Sequence, residues 1–177
     1  SAASLTNIPA ANITGTLPAI DGSALTNLPG GGKVLQVVSF TDTSITSTTS
    51  STFVTGYSVS ITPTLATSKI LVMSNTNIGS AAGYPQARLA RGSTAIGSNT
   101  STTTQSGNLP DFAMYHAGMT ALDSPATTSA TTYTVQLRSA YNSVTCYINA
   151  YPGSSAGGYS DYRATGASTI TVMEIGV

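Results

Sequence analysis

Residues 33–177 are predicted to form an all-β domain, a jelly-roll-like antiparallel β-sandwich. Short apolar or alternating stretches recur along this region, and loops rich in Ser, Thr, Gly and Pro separate them. No stretch combines the 3.6-residue apolar period of an amphipathic helix with helix-capping residues. Thr and Ser together supply 55 of the 177 residues. Because Thr is β-branched, a chain this polar can still form strands.

The apolar stretches predict about eight strands in this region. In chain order they cover residues 34–40, 53–61, 69–73, 87–91, 112–119, 132–138, 144–148 and 169–175. The first and third are apolar at consecutive positions, which is typical of buried strands. In 132–138, strict alternation places Tyr133, Val135 and Leu137 on one face of the strand. We expect that face to point into the core.

Residues 1–32 follow a different pattern and form a short repeat. The sequence SLTNIP at 4–9 returns as ALTNLP at 24–29, with prolines that exclude a continuous helix or a central strand. A segment this short cannot bury its own apolar residues and needs other copies of the chain to cover them. Leu25 and Leu28 are therefore candidate contacts between chains. A disordered linker is the alternative interpretation. Three glycines at 30–32 mark the boundary between the two regions.

These segments also resemble a known family. IDGSALTNLP at 20–29 resembles the repeat of bacteriophage tail-fibre proteins, and residues 32–38, 68–72 and 169–175 resemble the carboxy-terminal domain of such fibres. The resemblance implies a homotrimer in the virion, and therefore an extracellular location. Its shaft would join other tail proteins and lead to a distal knob that contacts the host. It also implies that the knob is similar to the trimeric jelly rolls of the tumour-necrosis-factor and complement globular-head class.

The last strand is a candidate for contacts near a trimer axis. Its apolar residues Ile170, Val172 and Ile175, with Met173, suit that place, and Glu174 is the one charged residue among them. A buried carboxylate is costly unless it is paired. We therefore expect Glu174 to pair with a Lys or Arg of its own or a neighbouring chain, the alternative being that it faces solvent.

The charge composition excludes several classes of partner. Six Lys and Arg balance six Asp and Glu, so there is no cationic footprint for nucleic acid. No apolar run reaches the length of a membrane-spanning helix, and we expect no membrane insertion. The single cysteine, Cys146, excludes an internal disulfide framework and a cysteine-based zinc site. A net charge of zero gives copies of the chain little mutual repulsion.

Catalytic motifs are also missing from the sequence. The single histidine, His116, stands in a predicted strand, no Gly-x-Ser-x-Gly motif surrounds a serine, and the six acidic residues are scattered. We therefore predict a protein that is not an enzyme and that uses no metal or cofactor.

The Tyr-rich loop at 151–163 is the main candidate for ligand contact. Tyrosine rings stack on sugars, and charged or hydroxyl groups bond to glycan hydroxyls. An interface between subunits is the alternative, since Tyr is also favoured there. The candidate residues, including one from the loop at 79–85, are Tyr84, Tyr151, Tyr159, Asp161, Tyr162 and Arg163.

Together these observations predict the receptor-binding tip of a phage tail fibre. The trimer would attach the virion through distal loops to a host surface receptor, a glycan or an outer-membrane component. Two alternatives stay open: a purely structural fibre or trimerisation module, and a polysaccharide depolymerase.

Overall fold

The structure, a computed structural model, describes residues 32–80, 85–97, 102–103, 113–140, 144–151 and 165–176. Backbone contacts divide the chain into two units, Ser1–Gly30 and Gly31–Val177. All described residues belong to the second unit. The predicted repeat at 1–32, with Leu25 and Leu28, therefore lies almost entirely outside the described residues.

The described residues form eleven strands and contain no helix. The strands are β1 (Val34–Asp42), β2 (Thr46–Thr48), β3 (Val54–Ile61), β4 (Lys69–Ser80), β5 (Pro85–Arg91), β6 (Thr94–Ala95), β7 (Thr102–Thr103), β8 (Ala113–Asp123), β9 (Thr131–Ser139), β10 (Cys146–Ile148) and β11 (Ser168–Ile175). The all-β prediction is confirmed for this part of the chain.

Two antiparallel sheets make up a β-sandwich. In sheet A, β11 lies between β1 and the first half of β4, β8 pairs with the other edge of β4, and β10 connects the end of β4 to β2. In sheet B, β9 lies between β3 and β5, and the short β6 and β7 both pair with β5.

The core lies between the sheets and draws on both of them. Tyr133, Val135 and Leu137 of β9 are all 0% exposed, as their alternation predicts. Opposite them, sheet A contributes Ile70, Val72 and Ile78 of β4 and Ile170 and Val172 of β11. The Tyr57 hydroxyl crosses the core to the hydroxyls of Ser74 (2.9 Å) and Thr76 (2.6 Å).

The first strand differs from its prediction. Its apolar run indicates a buried strand, but β1 is an edge strand, and Val34, Val37 and Phe40 are exposed. Consecutive apolar residues do not distinguish a strand covered on both faces from one with an apolar outer face. β4 extends well beyond the predicted 69–73, and the short β2 and β6 carry no periodic signal.

The sandwich has two distinct ends. At the terminal end, Gly32 N donates to the carbonyl of Gly176 at 2.9 Å, beside the start of β4 and the end of β8. At the opposite loop end, Ser80 pairs with Ala113 and Cys146, and Pro85 pairs with Ser139. Ser80, Pro85 and Ala113, which border the undescribed stretches 81–84 and 104–112, therefore lie at this loop end.

Candidate functional site

Of the six candidate receptor contacts, the structure describes Tyr151. Tyr151 is half-buried. The backbone of Ala150 and Tyr151 passes so close to Gly79 that a Cβ atom added at residue 79 would collide with the Ala150 carbonyl oxygen. Gly79 therefore allows the chain to cross the end of β4. The other candidates lie outside the described residues: Tyr84, Tyr159, Asp161, Tyr162 and Arg163.

Buried hydrogen bonds hold the residues that flank the stretch 152–164. Asn149 is fully buried at a φ of +61°, a conformation that Asn tolerates better than most residues. Its amide nitrogen donates to the carbonyls of Asp42 (2.9 Å) and Ser44 (3.0 Å), and Ser168 Oγ donates to its amide oxygen at 2.6 Å. Ala150 then bridges to Thr165. Both flanks of the Tyr-rich stretch are therefore fixed to the sandwich.

Ile170 and Val172 do not lie on a surface that a second chain could contact. Both are 0% exposed and belong to the core of their own sandwich. Because side chains alternate along a strand, the residues of β11 that face outward are Thr169, Thr171, Met173 and Ile175. The expectation that Ile170 and Val172 mediate trimer contacts is thus wrong, whereas Met173 and Ile175, expected in the same place, do face outward.

The outer face of sheet A carries an apolar surface. Val37, Met173, Leu71 and Leu122 pair in register across four strands and form one continuous row. Val37 and Leu122, at the two edges, are 54% and 58% exposed. Ile175 and Val34 extend this surface towards the terminal end. We call these six residues the apolar face.

The outer face becomes polar towards the loop end. The row next to the apolar face contains Ser39, Thr171, Met73 and Thr120, and the row after it contains Thr41, Thr169, Asn75 and Gly118. The apolar face is therefore confined to the half of sheet A that adjoins Gly32, where the chain enters the described unit.

Glu174 points inward and has neutral hydrogen-bond donors as partners. It is 0% exposed. One carboxylate oxygen accepts from Gln36 Nε2 at 2.6 Å. The other accepts from the backbone N–H and hydroxyl of Thr64, both at 2.8 Å, and from Leu65 N at 3.3 Å. Neither expectation for Glu174 is met within the described residues, since it has no Lys or Arg partner there and does not face solvent.

The environment of Glu174 stabilises its ionised form. Desolvation is the largest single influence and raises its pKa, but hydrogen bonds from Gln36, Ser68 and Thr64 together outweigh it and lower the pKa to about 2. Ser68 Oγ is buried and has no partner of regular hydrogen-bond geometry, so we regard it as the weakest of these donors. The hydrogen bonds of this carboxylate hold the connection between β3 and β4 against β11 at the terminal end of the sandwich.

A second carboxylate closes the same end of the core. Asp123 Oδ2 accepts from Arg91 Nη1 at 3.0 Å and from the Tyr133 hydroxyl at 2.8 Å. Burial, followed by the hydrogen bond and charge of Asp123, raises the pKa of Tyr133 well above its ordinary value. This is the single ion pair among the described residues.

The outer face of sheet B carries two arginines stacked on one ring. The guanidinium carbons of Arg88 and Arg138 lie 4.0 and 4.6 Å from the centroid of Phe53. Arg88 Nε donates to Gln136 at 2.7 Å, and Arg138 Nε donates to Gln86 at 2.6 Å. We call Arg88 and Arg138, with Phe53, the arginine pair.

The arginine pair is not among the contacts predicted above, although the sequence contains a signal for it. Gln86 and Arg88 stand two apart in one strand, and Gln136 and Arg138 two apart in another. When two such Gln-x-Arg strands pair antiparallel, each Arg can lie opposite the other strand's Gln, as in the register of β5 and β9. The pattern becomes informative only once that pairing is known.

The described residues offer no cluster of three or more metal-ligating side chains. Within the same ranges, no helix is long and apolar enough to cross a membrane. His116 is exposed on the outer face of β8, opposite Asn77. No protein-family model matches this chain, and no curated protein shows a significant sequence match to it.

Proposed function

We propose that this chain is the non-enzymatic receptor-binding tip of a phage tail fibre, a homotrimer that attaches the virion to the host cell surface. The supporting observation is the polarity of the sandwich. Residue 32, which follows the repeat, enters at the terminal end, whereas Ser80, Ser139 and Cys146 border undescribed stretches at the loop end. A fibre tip needs this arrangement, with its attachment at one end and variable loops at the other.

The proposed fold of the tip is a jelly roll. Its long strands alternate between the sheets: β3 in sheet B, β4 in A, β5 in B, β8 in A, β9 in B and β11 in A. The first strand then pairs with the last, β1 with β11. This alternation gives neighbouring strands that are distant in sequence, which is the property of Greek-key and jelly-roll connections.

The proposed partner on the apolar face is a second copy of the chain. Monomeric proteins seldom leave a contiguous apolar surface exposed. This one adjoins Gly32, the residue at which the repeat ends, and a repeat that needs other copies would bring their terminal ends together. Lys69, which pairs with Ile175, is the charged residue at the terminal edge of this surface, and the zero net charge gives whole copies of the chain little mutual repulsion.

Light scattering on the full chain tests the assembly. A homotrimer has a mass of about 53 kDa, three times the 17.8 kDa of one chain. Leu122→Asp places a charge on the apolar face and should shift the mass towards one chain. Leu65→Asp alters another exposed leucine, outside the apolar face, and should leave the mass unchanged. Equal masses for the two variants would contradict this assignment of the interface.

Adsorption of fluorescently labelled full chain to a panel of bacteria tests the receptor role. Replacing Tyr159 and Tyr162 by Ala should reduce adsorption while the mass and melting temperature stay those of the wild type. A wild-type trimer that adsorbs to none of the strains favours a structural fibre module. Release of reducing ends from the polysaccharides of those strains favours the depolymerase and contradicts the non-enzymatic proposal.

A further inference from the structure

We propose that the arginine pair binds the acidic group of a carbohydrate, either a uronate carboxylate or a sugar phosphate. This inference rests on the proposed receptor function and names the chemical class of the receptor. It assigns the contact to Arg88, Arg138 and Phe53 on the outer face of sheet B, which are residues other than those of the Tyr-rich stretch.

The hydrogen bonds of the two arginines leave the correct groups available. A guanidinium has five N–H donors, and in each arginine Nε is the one bonded to glutamine. Among the described residues, no acceptor is bonded to the terminal nitrogens of either side chain. Those nitrogens form the planar fork that binds two oxygens of a carboxylate or phosphate at once.

The charges of the pair are also uncompensated in the described part of the chain. Arg91 has Asp123 as its partner, whereas no carboxylate lies within ion-pair distance of Arg88 or Arg138 there. Two guanidiniums beside one ring repel each other, and an anion between or beside them removes that repulsion. In a chain with only six Lys and Arg, this is a marked concentration of positive charge.

The site is held in place before a ligand arrives. Gln136 is 6% exposed and lies in the central strand of sheet B, so it fixes the side chain of Arg88. Phe53 contacts both guanidiniums, which limits their remaining rotamers. Such ordering reduces the entropy that binding would otherwise cost.

The neighbouring groups suit a sugar rather than an isolated ion. Thr55 is exposed and lies in register with Gln136 on the same face, on the opposite side of β9 from Arg88. Its hydroxyl can bond to sugar hydroxyls near the bound acid. Arg138 lies one residue before Ser139, at the loop end where the proposed receptor contacts begin.

The test uses the full chain and oligosaccharides that differ only in charge. Titration calorimetry should detect binding of hexagalacturonate, of a sugar phosphate such as mannose 6-phosphate, or of both. The same hexamer with its carboxylates methyl-esterified should bind about tenfold more weakly or not at all. Side-chain NMR should show the Nε–Hε signals of Arg88 and Arg138 shifting during the same titration.

Three variants separate the site from general charge attraction. Arg88→Lys and Arg138→Lys keep the charge but lose the planar fork, and each should weaken binding by about tenfold. Phe53→Leu should weaken it less, since it removes only the ring beneath the pair. Lys33→Gln removes one exposed cation at the opposite end and should leave the affinity unchanged. Thermal unfolding of each variant confirms that it is folded.

Each outcome decides the proposal. Binding of either charged probe that the two Lys variants weaken supports the site, and the better probe identifies the acid. Absence of binding to both probes, or equal binding by the wild type and the Lys variants, overturns it. If the labelled trimer adsorbs to bacteria but neither probe binds, the receptor function stands and the arginine pair is a structural stack.

Discussion

Glu174 offers the most quantitative test of the fold. The test replaces Glu174 by Gln, a substitution that keeps the shape of the side chain but removes its charge. In the wild type the pKa of Glu174 lies at about 2, against an ordinary value of 4.5. This difference of about 2.5 corresponds to roughly 3 kcal/mol of stability, because each pKa unit is worth about 1.4 kcal/mol. The side chain is 0% exposed in the folded chain.

The sign of the pH dependence follows from the lowered pKa. The stabilisation by Glu174 is fully present above pH 4.5, the value of the unfolded chain, and is lost as the pH falls towards about 2. At pH 7, Glu174→Gln should therefore lower the free energy of unfolding by about 2–3 kcal/mol, since an amide oxygen keeps part of the hydrogen bonding. Between pH 4.5 and 2 the difference between wild type and variant should shrink.

The assay is urea unfolding followed by far-ultraviolet circular dichroism at pH 7, 5, 4 and 3, at one fixed protein concentration. Thr64→Val removes one donor to the carboxylate and should cost about 1–2 kcal/mol. Thr62→Val changes an exposed side chain of the same connection and should stay within about 0.5 kcal/mol of the wild type. A difference between wild type and Glu174→Gln that stays constant from pH 5 to pH 3 would refute the reasoning.

Three further predictions concern the core and the flanks of the Tyr-rich stretch. Leu137→Ala removes a fully buried side chain, and urea unfolding should show a loss of about 2–5 kcal/mol; a loss below about 1 kcal/mol would contradict the described core. Asn149→Ala removes four amide hydrogen bonds and should cost about 2–4 kcal/mol, with faster proteolysis after residue 151, whereas wild-type stability would argue against its anchoring role. Burial raises the pKa of the Cys146 thiol, so a thiol reagent should label it only in denaturant; rapid labelling of the native chain would be inconsistent with its position.

Periodicity accounts for the part of the fold that the sequence predicted well. Alternation in β9 identified Tyr133, Val135 and Leu137 as core residues, since one face of a half-buried strand must be apolar. The eight predicted strands correspond to the eight remaining strands once the short β2, β6 and β7 are set aside. Those three are too short to show a period.

The face of the last strand could not be predicted from local sequence. In β11, apolar residues stand at both parities, with Ile170 and Val172 on one face and Met173 and Ile175 on the other. Which face turns inward depends on the register with β1 and β4, and a shift of one residue exchanges the two sets. The sequence therefore identified the strand but did not separate its core residues from its surface residues.

The partners of Glu174 and the arginine pair depend on contacts between distant residues. Glu174 meets Thr64, which is 110 positions away, through a backbone N–H that no side-chain pattern reveals. The prediction of a cationic partner relied on the free-energy cost of burying a charge. Hydrogen bonds from several neutral donors offset that cost equally well. Likewise, Arg88 and Arg138 become neighbours only through the pairing of β5 with β9.

The central claim is that a trimer attaches through several weak sites, and one comparison tests it most directly. Labelled wild-type chain and the Leu122→Asp variant, shown by light scattering to be a single chain, are titrated onto a bacterial strain to which the wild type adsorbs. Because linked sites bind a repetitive surface cooperatively, the single-chain variant should adsorb about 100-fold more weakly or worse, although the residues proposed to contact the receptor are unchanged. Adsorption of the single-chain variant with the affinity of the wild type would contradict the account.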